Sequence, residues 1–437
     1  MLSKKVILFD SILLAALSVF ASASGLVFQI ILSRKYGLGH ESDLYFLSIG
    51  IPSFLAALFS TALSYAAVPV LAQTEGGSHR VGSNIAMEKF ARTASFSFFL
   101  ISLPAALLQP RLLPNIVAGD AMFSTAQFTV AFCWLASGVQ ILTALEIAKL
   151  LAARRAVVAT LLALPPTLVG SAWLVATDFS VASAAFGLFV GNLAAFALAY
   201  WCVSSKGRVV TGYSESLSPP LKLSDALWAS VSVSVFSAYT IIDAILAPHA
   251  GPGTLTTLAI AQRLIIGLGG IIITGPSALI IPILSQKLRD KDAKEFLRIT
   301  ATTAILVALA AVPIVIVLYS YGFEIVKILF FYPCGTCGEA RATSQTIITM
   351  LPGFVAMMVA VIVTRAAHFL PFAARKISAV SAIWCTFYLI IALIFLEKGS
   401  IGFAVSYSVS WIAYLICMIA LIYHSLFKSE KRYFTNE

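Results

Sequence analysis

The sequence predicts an all-α polytopic membrane protein, with twelve transmembrane helices in two parallel-repeat six-helix bundles around a central cavity. Sixty per cent of the 437 residues are hydrophobic and 11% are charged, against about 25% charged in an ordinary soluble domain. The apolar residues come in long blocks, many of about 20, enough to cross a hydrocarbon core. They lack the strict alternation that a membrane β-barrel requires. The third observation is a repeated phrase: "AAVPVLAQ" at Ala66 to Gln73 returns as "LIIPILSQ" at Leu279 to Gln286, 213 residues later.

The spans of the first half are expected near residues 7–32, 44–72, 91–109, 124–150, 157–177 and 181–203. Those of the second half are expected near 225–248, 255–285, 297–321, 342–370, 378–396 and 401–426. The first block follows Lys4 and Lys5 like a signal peptide, but it is too long for one and is expected to be retained. The bundles are residues 1–203 and 225–437, joined by a polar cytoplasmic linker at 204–224 that carries Lys206, Arg208 and the "SPP" of Ser218 to Pro220.

Basic residues set the orientation. With the N-terminus inside, twenty-two of the 29 fall on the cytoplasmic side and six on the other: Arg34, Lys35, Arg111, Lys327, Arg341 and Lys398. Arg263 alone stays within a span. This is the positive-inside pattern, and it places both termini in the cytoplasm. The formal charge of +10 is then explained by topology and by anionic lipid headgroups, so no nucleic-acid partner is expected.

The repeated phrases close the second helix of each half, and other features keep step with them. Asp10 and Asp225 stand at the first and seventh spans, Arg92 and Arg298 open the third and ninth, and Pro104 and Pro313 lie within those two. Six helices per half is an even number, so both halves enter the membrane from the same side, and the repeat is parallel. Pro52, Pro104, Pro276, Pro313 and Pro352 are interior to spans. Proline removes a backbone hydrogen bond and bends a helix. Bent helices in two matched bundles suit a transporter that rocks about a central cavity.

The first two helices, "SGLVFQIILSRKYGLGHESDLYFLSIGIPSFLAALFSTALSYAAVPVLAQ", resemble the opening of the MurJ/MviN lipid II flippase family. That family is part of the multidrug/oligosaccharidyl-lipid/polysaccharide exporter superfamily. The matching residues are Gly25, Arg34, Gly37, Gly39, Asp43, Pro52 and the "VPVLA" of Val68 to Ala72. A second stretch, "VSVSVFSAYTIIDAILAPHAGPGTLTTLAIAQRL" running on to "IPILSQKL", is similar as well, and weaker similarity continues through "ILFFYPCGTCGEARATSQTI". There are departures. Ser22 and Phe28 stand where the family usually has arginines around its first-helix glycine, and Ile266 stands where an acidic residue follows the eighth-helix arginine. The family typically has fourteen helices, and this chain is expected to stop at twelve.

The resemblance implies a flippase that moves a polyprenyl-pyrophosphate-linked saccharide, lipid II or a related cell-envelope glycan precursor, across the bacterial cytoplasmic membrane by alternating access. It acts on a lipid partner within the bilayer and is expected to be a monomer. Arg263, in "AIAQRLIIGLG", matches the family's arginine. A guanidinium offers a planar fork of donors suited to a phosphate, and an ionisable group inside a span is by default a functional candidate. Arg34, Asp43 and Arg365 match family positions as further substrate-binding candidates; snorkelling to the headgroups is the competing reading for Arg365. Asp243 has three open roles: pairing with Arg263, binding a coupling cation, or sitting at the interface. A monovalent coupling cation is therefore the only cofactor in view, and no metal site is expected.

Glu146 and Lys149 are three residues apart and are expected to pair. Cys334 and Cys337 form a lone C-x-x-C in an outer loop. Without a second pair this is not a zinc site, and a local disulfide is expected there. The longest outer loop is expected near Gly322 to Ala340. There is no Walker motif for ATP hydrolysis. The alternatives are a cation-coupled multidrug exporter of the same superfamily and a membrane-embedded glycosyltransferase or ligase. The exporter should show more acids at mid-membrane, and the enzyme needs an acid/base site and a sizeable outer loop.

Overall fold

Thirteen α-helices and no strands make up the described part of the computed structural model, which is residues 4–72, 79–112, 120–153, 155–177, 180–205, 228, 231, 238–289, 292–331, 337–370 and 373–433. They are α1 (Lys4–Tyr36), α2 (His40–Ala72), α3 (His79–Leu108), α4 (Asp120–Ala152), α5 (Ala156–Leu161), α6 (Leu164–Ala176) and α7 (Ala182–Ser204). There follow α8 (Tyr239–Leu246), α9 (Thr254–Arg289), α10 (Ala293–Val326), α11 (Cys337–Ala367), α12 (Ala373–Ile394) and α13 (Ser400–Tyr433). Ten stretches among the described residues are long and apolar enough to cross a membrane, and they coincide with ten of the twelve expected spans. The first expected span is the 33-residue helix α1. Of the seventh, α8 is the main described part.

Two of the differences from the expected boundaries have a local reason. The fifth span is broken into α5 and α6, because Pro165 and Pro166 open the second piece. Proline has no N–H to give and is at home only in a helix's first turn. The outer loop expected from Gly322 is mostly helix: α10 runs to Val326 and continues as a π-helical turn, Lys327–Phe331. Phe330 and Phe331 are buried, so burial of two rings keeps the chain wound past the expected end. α10 starts at an N-cap, where the Asp292 carboxylate accepts the Glu295 N–H at 3.0 Å.

Residues 20–256 form one compact unit, and residues 257–437 together with 1–19 form another. The division falls at the start of α9 and within α1. The expected linker lies almost wholly outside the described residues. In the first unit α4 is central and packs against α2, α3 and α7, while α6 packs on α7. Its core includes Ala56, Leu63, Phe98, Trp134 and Ile141, with the Phe98 and Trp134 rings 5.3 Å apart. In the second unit α11 is central: α10 and α13 pack on it, and α12 packs on α13. Counted as spans, the fourth of each half is the one that its third and sixth spans pack against, and the fifth packs on the sixth. The same order of packing thus recurs inside each unit.

The aromatic core of the second unit shows how that packing is achieved without lipid-phase hydrophobicity as a driving force. Trp384, Tyr407, Trp411 and Tyr414 are buried between α11, α12 and α13, with Trp384 and Trp411 5.0 Å apart. Tyr414 and Thr364 join hydroxyls at 3.2 Å. Ring packing and hydroxyl bonds of this kind hold helices together where lipid is as apolar as the core.

Candidate functional site

The motif "RKYGLGHESD" folds as a tight corner between α1 and α2. Gly37 ends α1 with φ of 65°, the left-handed conformation that an L side chain resists, and its N–H returns to the Ser33 carbonyl at 2.8 Å. Ser42 locks the corner: its hydroxyl donates to the Gly37 carbonyl at 2.7 Å and accepts the Gly39 N–H at 3.2 Å.

One residue later stands Asp43, 0% exposed. Its Oδ2 accepts the Gly253 N–H at 2.6 Å. Its Oδ1 accepts both the Thr256 N–H at 2.8 Å and the Thr256 hydroxyl at 2.7 Å. Gly253 immediately precedes α9 and Thr256 is its third residue, so an acid on α2 caps a helix more than two hundred residues away. A helix start has unsatisfied N–H groups and a partial positive charge, and both favour an anion. A buried carboxylate is costly unless it is hydrogen-bonded, and three donors meet that need. Gly253 has φ of 77° and passes close to the corner, where an added Cβ would meet that of Leu38 at 3.3 Å; a side chain there would strain the backbone and crowd the clasp. Both Asp43 oxygens thus accept hydrogen bonds from the start of α9.

The neighbouring Lys35 has a matching role that the sequence reading missed. Its ammonium donates to the carbonyls of Leu174, at 2.9 Å, and Thr177. It thereby ties α1 to the C-terminal end of α6, where a cation is favoured. Arg34, also in the last turn of α1, is exposed. Phe28, at a position where the family usually has arginine, is buried with its ring 6.0 Å from that of Tyr45. That part of α1 is packed as apolar core.

Asp243 is 2% exposed on α8, which packs on α2, and buried Tyr239 precedes it by one turn. It belongs to the first unit and Arg263 to the second. Arg263 is half-buried on α9, with Ile260, Ala261, Leu264 and Ile265 buried around it in the sequence. Arg365 is half-buried in the last turn of α11. Beside it the Nδ1–H of His368 donates to the Thr364 carbonyl at 2.8 Å.

Glu146 and Lys149 pair as expected, at 2.7 Å, with Glu146 only 5% exposed. Lys149 also reaches Glu88 at 3.8 Å, and Glu88 meets Arg92 at 3.4 Å, so the pair is part of a chain of charges between α3 and α4. Cys133, Cys202, Cys385 and Cys417 are free thiols. The expected Cys334–Cys337 disulfide lies outside the described residues. Among the described residues no cluster of three or more His, Cys, Asp or Glu side chains is placed to hold a metal ion.

Comparison with known proteins agrees with this architecture. The family model described as lipid II flippase MurJ matches residues 32–436. A lipid II flippase MurJ from Thermosipho africanus (strain TCF52B) is 29% identical over 123 residues, which is 27% of this chain and 24% of that protein; the chain thus spans about a quarter of that relative's length. Among solved structures, a lipid II flippase MurJ in an inward closed conformation superposes with a TM-score of 0.73 at 18% identity, covering 98% of this chain and 93% of that one. An inward-facing multidrug resistance transporter of the MATE family superposes with a TM-score of 0.76 at 13% identity, covering 98% and 100%. At those identities the structural likeness establishes the fold, which both families share.

Proposed function

The chain belongs to the MurJ lipid II flippase family, and from that premise we propose that it is a flippase for a polyprenyl-pyrophosphate-linked saccharide, lipid II or a related cell-envelope glycan precursor. It works in the bacterial cytoplasmic membrane with both termini inside. The observation that carries this reading is the family match over residues 32–436. Half-buried Arg263 supports it, because a guanidinium placed in a span is suited to the phosphates of such a headgroup. Arg34 and Arg365 are the further headgroup ligands, one near each end of the path. Asp43 serves them indirectly by fixing the corner that carries Arg34. Membrane potential or an ion gradient supplies the drive, with Asp243 the candidate for a monovalent coupling cation.

A cation-coupled multidrug exporter is the second reading, favoured by the TM-score of 0.76 with the MATE structure. The two readings separate in one experiment. In cells depleted of the protein, polyprenyl-linked saccharides are labelled by a reagent confined to the outer face. A flippase predicts that outer labelling falls while the total pool rises. Unchanged labelling, with heightened sensitivity to cationic drugs, would select the exporter.

A further inference from the structure

In the middle of α11 the sequence sets Pro352 and Gly353 side by side, and yet the helix runs from Cys337 to Ala367. Proline gives no N–H, and its ring crowds the carbonyl four residues back, here that of Ile348. The glycine beside it has the most backbone freedom of any residue. Such a pair ends or bends a helix unless something outside it holds the chain.

The outside support is α13, which carries no proline from Ser400 to Tyr433. The buried Ser408 hydroxyl donates to the Thr349 carbonyl at 2.7 Å and accepts the Gly353 N–H at 3.2 Å. Those two groups are the acceptor and donor of a single helical rung, the one that follows the proline. Ser406, also buried, turns its hydroxyl onto its own helix, to the Gly402 carbonyl at 2.8 Å, a common choice for a helical serine. Ser408 reaches across because Gly353 has no side chain. An added Cβ there would lie 2.6 Å from the Ser408 Cα and 2.8 Å from the Tyr407 ring. A side chain inserted into the ladder is one of the known causes of a helix bend.

α13 grips α11 on either side of this point. Toward the start of α11, Thr346 donates to the Ser400 hydroxyl at 2.9 Å. Toward its end, Thr364 and Tyr414 share a hydroxyl bond at 3.2 Å, and Thr364 immediately precedes Arg365. We infer that Ser408 is a positioning residue for Arg365: by occupying the Gly353–Thr349 rung, its hydroxyl sets the bend of α11 and hence the place of the guanidinium. This rests on the reading above, in which Arg365 meets a headgroup phosphate, and adds what holds it there. Arg365 lies twelve residues beyond Gly353, about 18 Å along the axis at 1.5 Å per residue. A change of about 10° in the bend moves it by about 3 Å, the difference between a hydrogen bond to a phosphate and none.

The test uses the full chain in phosphatidylcholine nanodiscs. Spin labels at Lys294, exposed at the start of α10, and at His368, just past α11, report the position of that end of α11. Ser408→Ala should shift the dipolar distance by about 3 Å, as the rung closes on itself and α11 straightens. Ser408→Thr keeps the hydroxyl and should leave the distance in place. Binding is read on unlabelled protein by titration with a polyprenyl pyrophosphate. Ser408→Ala should weaken it about tenfold, the worth of one charge-assisted hydrogen bond, and Ser408→Thr should bind as the parent does. Arg365→Ala should weaken binding at least as much. Adding Ser408→Ala to it should cost nothing more, since one residue acts through the other. An unmoved distance, a Ser408→Thr protein that behaves like Ser408→Ala, or losses that add in the double variant would overturn the proposal. A distance that moves in a protein that binds no pyrophosphate lipid refutes the lipid reading and leaves the bend assigned to Ser408.

Discussion

Asp43 and Thr256 are joined by two hydrogen bonds, from the Thr256 amide and hydroxyl to one carboxylate oxygen, and they stand at the same 213-residue offset that separates the repeated phrases of the sequence. The fourth residue of α2 therefore meets its own counterpart in the second half, the third residue of α9.

This clasp gives the first prediction. Asp43→Ala leaves the buried Gly253 and Thr256 N–H groups without acceptors, at roughly 1–3 kcal/mol each. Thermal unfolding in detergent should shift down by several degrees. Thr256→Val, which removes one donor, should cost less, and adding it to Asp43→Ala should cost little more because the two share one interaction. A stable Asp43→Ala protein that has lost transport would instead place Asp43 against the substrate.

Lys35 should behave as a structural cation. Lys35→Met removes the donors at the end of α6, and the cost should be about 0.3–1 kcal/mol, the range for a cation at a helix C-terminus. The variant should retain most of its transport, and Lys35→Arg should recover stability. Loss of transport at unchanged stability would assign it to the headgroup.

Glu146 and Lys149 test a buried pair. Lys149→Ala strands a carboxylate that is 5% exposed, and breaking a buried pair from one side costs about 3–5 kcal/mol. Expression and thermal stability should fall sharply. The double change Glu146→Gln with Lys149→Met should restore much of both, because it removes the charge as well as its partner. Equal damage from the double change would mean that the pair contributes more than mutual neutralisation.

Arg263 is the test of the headgroup site. Arg263→Ala should reach the membrane in near-normal amount and be inactive in the outer-labelling assay. Arg263→Lys keeps the charge and loses the planar fork, so it should be impaired too. An Arg263→Lys protein with full activity would reduce the site's need to a positive charge alone.

By itself the sequence determined the class, most of the spans and the repeat, because bilayer thickness imposes a length on apolar runs that composition reveals directly. It also marked Arg263 and the Glu146–Lys149 pair, since charge inside a span is conspicuous. Tertiary structure alone decided which partners Lys35 and Asp43 take at the α1–α2 corner. Arg34, Lys35 and Asp43 are neighbours in sequence, with nothing local to distinguish ligand from brace. The partners of two of them lie far along the chain, Leu174 and Thr177 for Lys35, Gly253 and Thr256 for Asp43. Helix ends are where backbone donors and acceptors go unsatisfied, and which side chain reaches them depends on packing between distant helices.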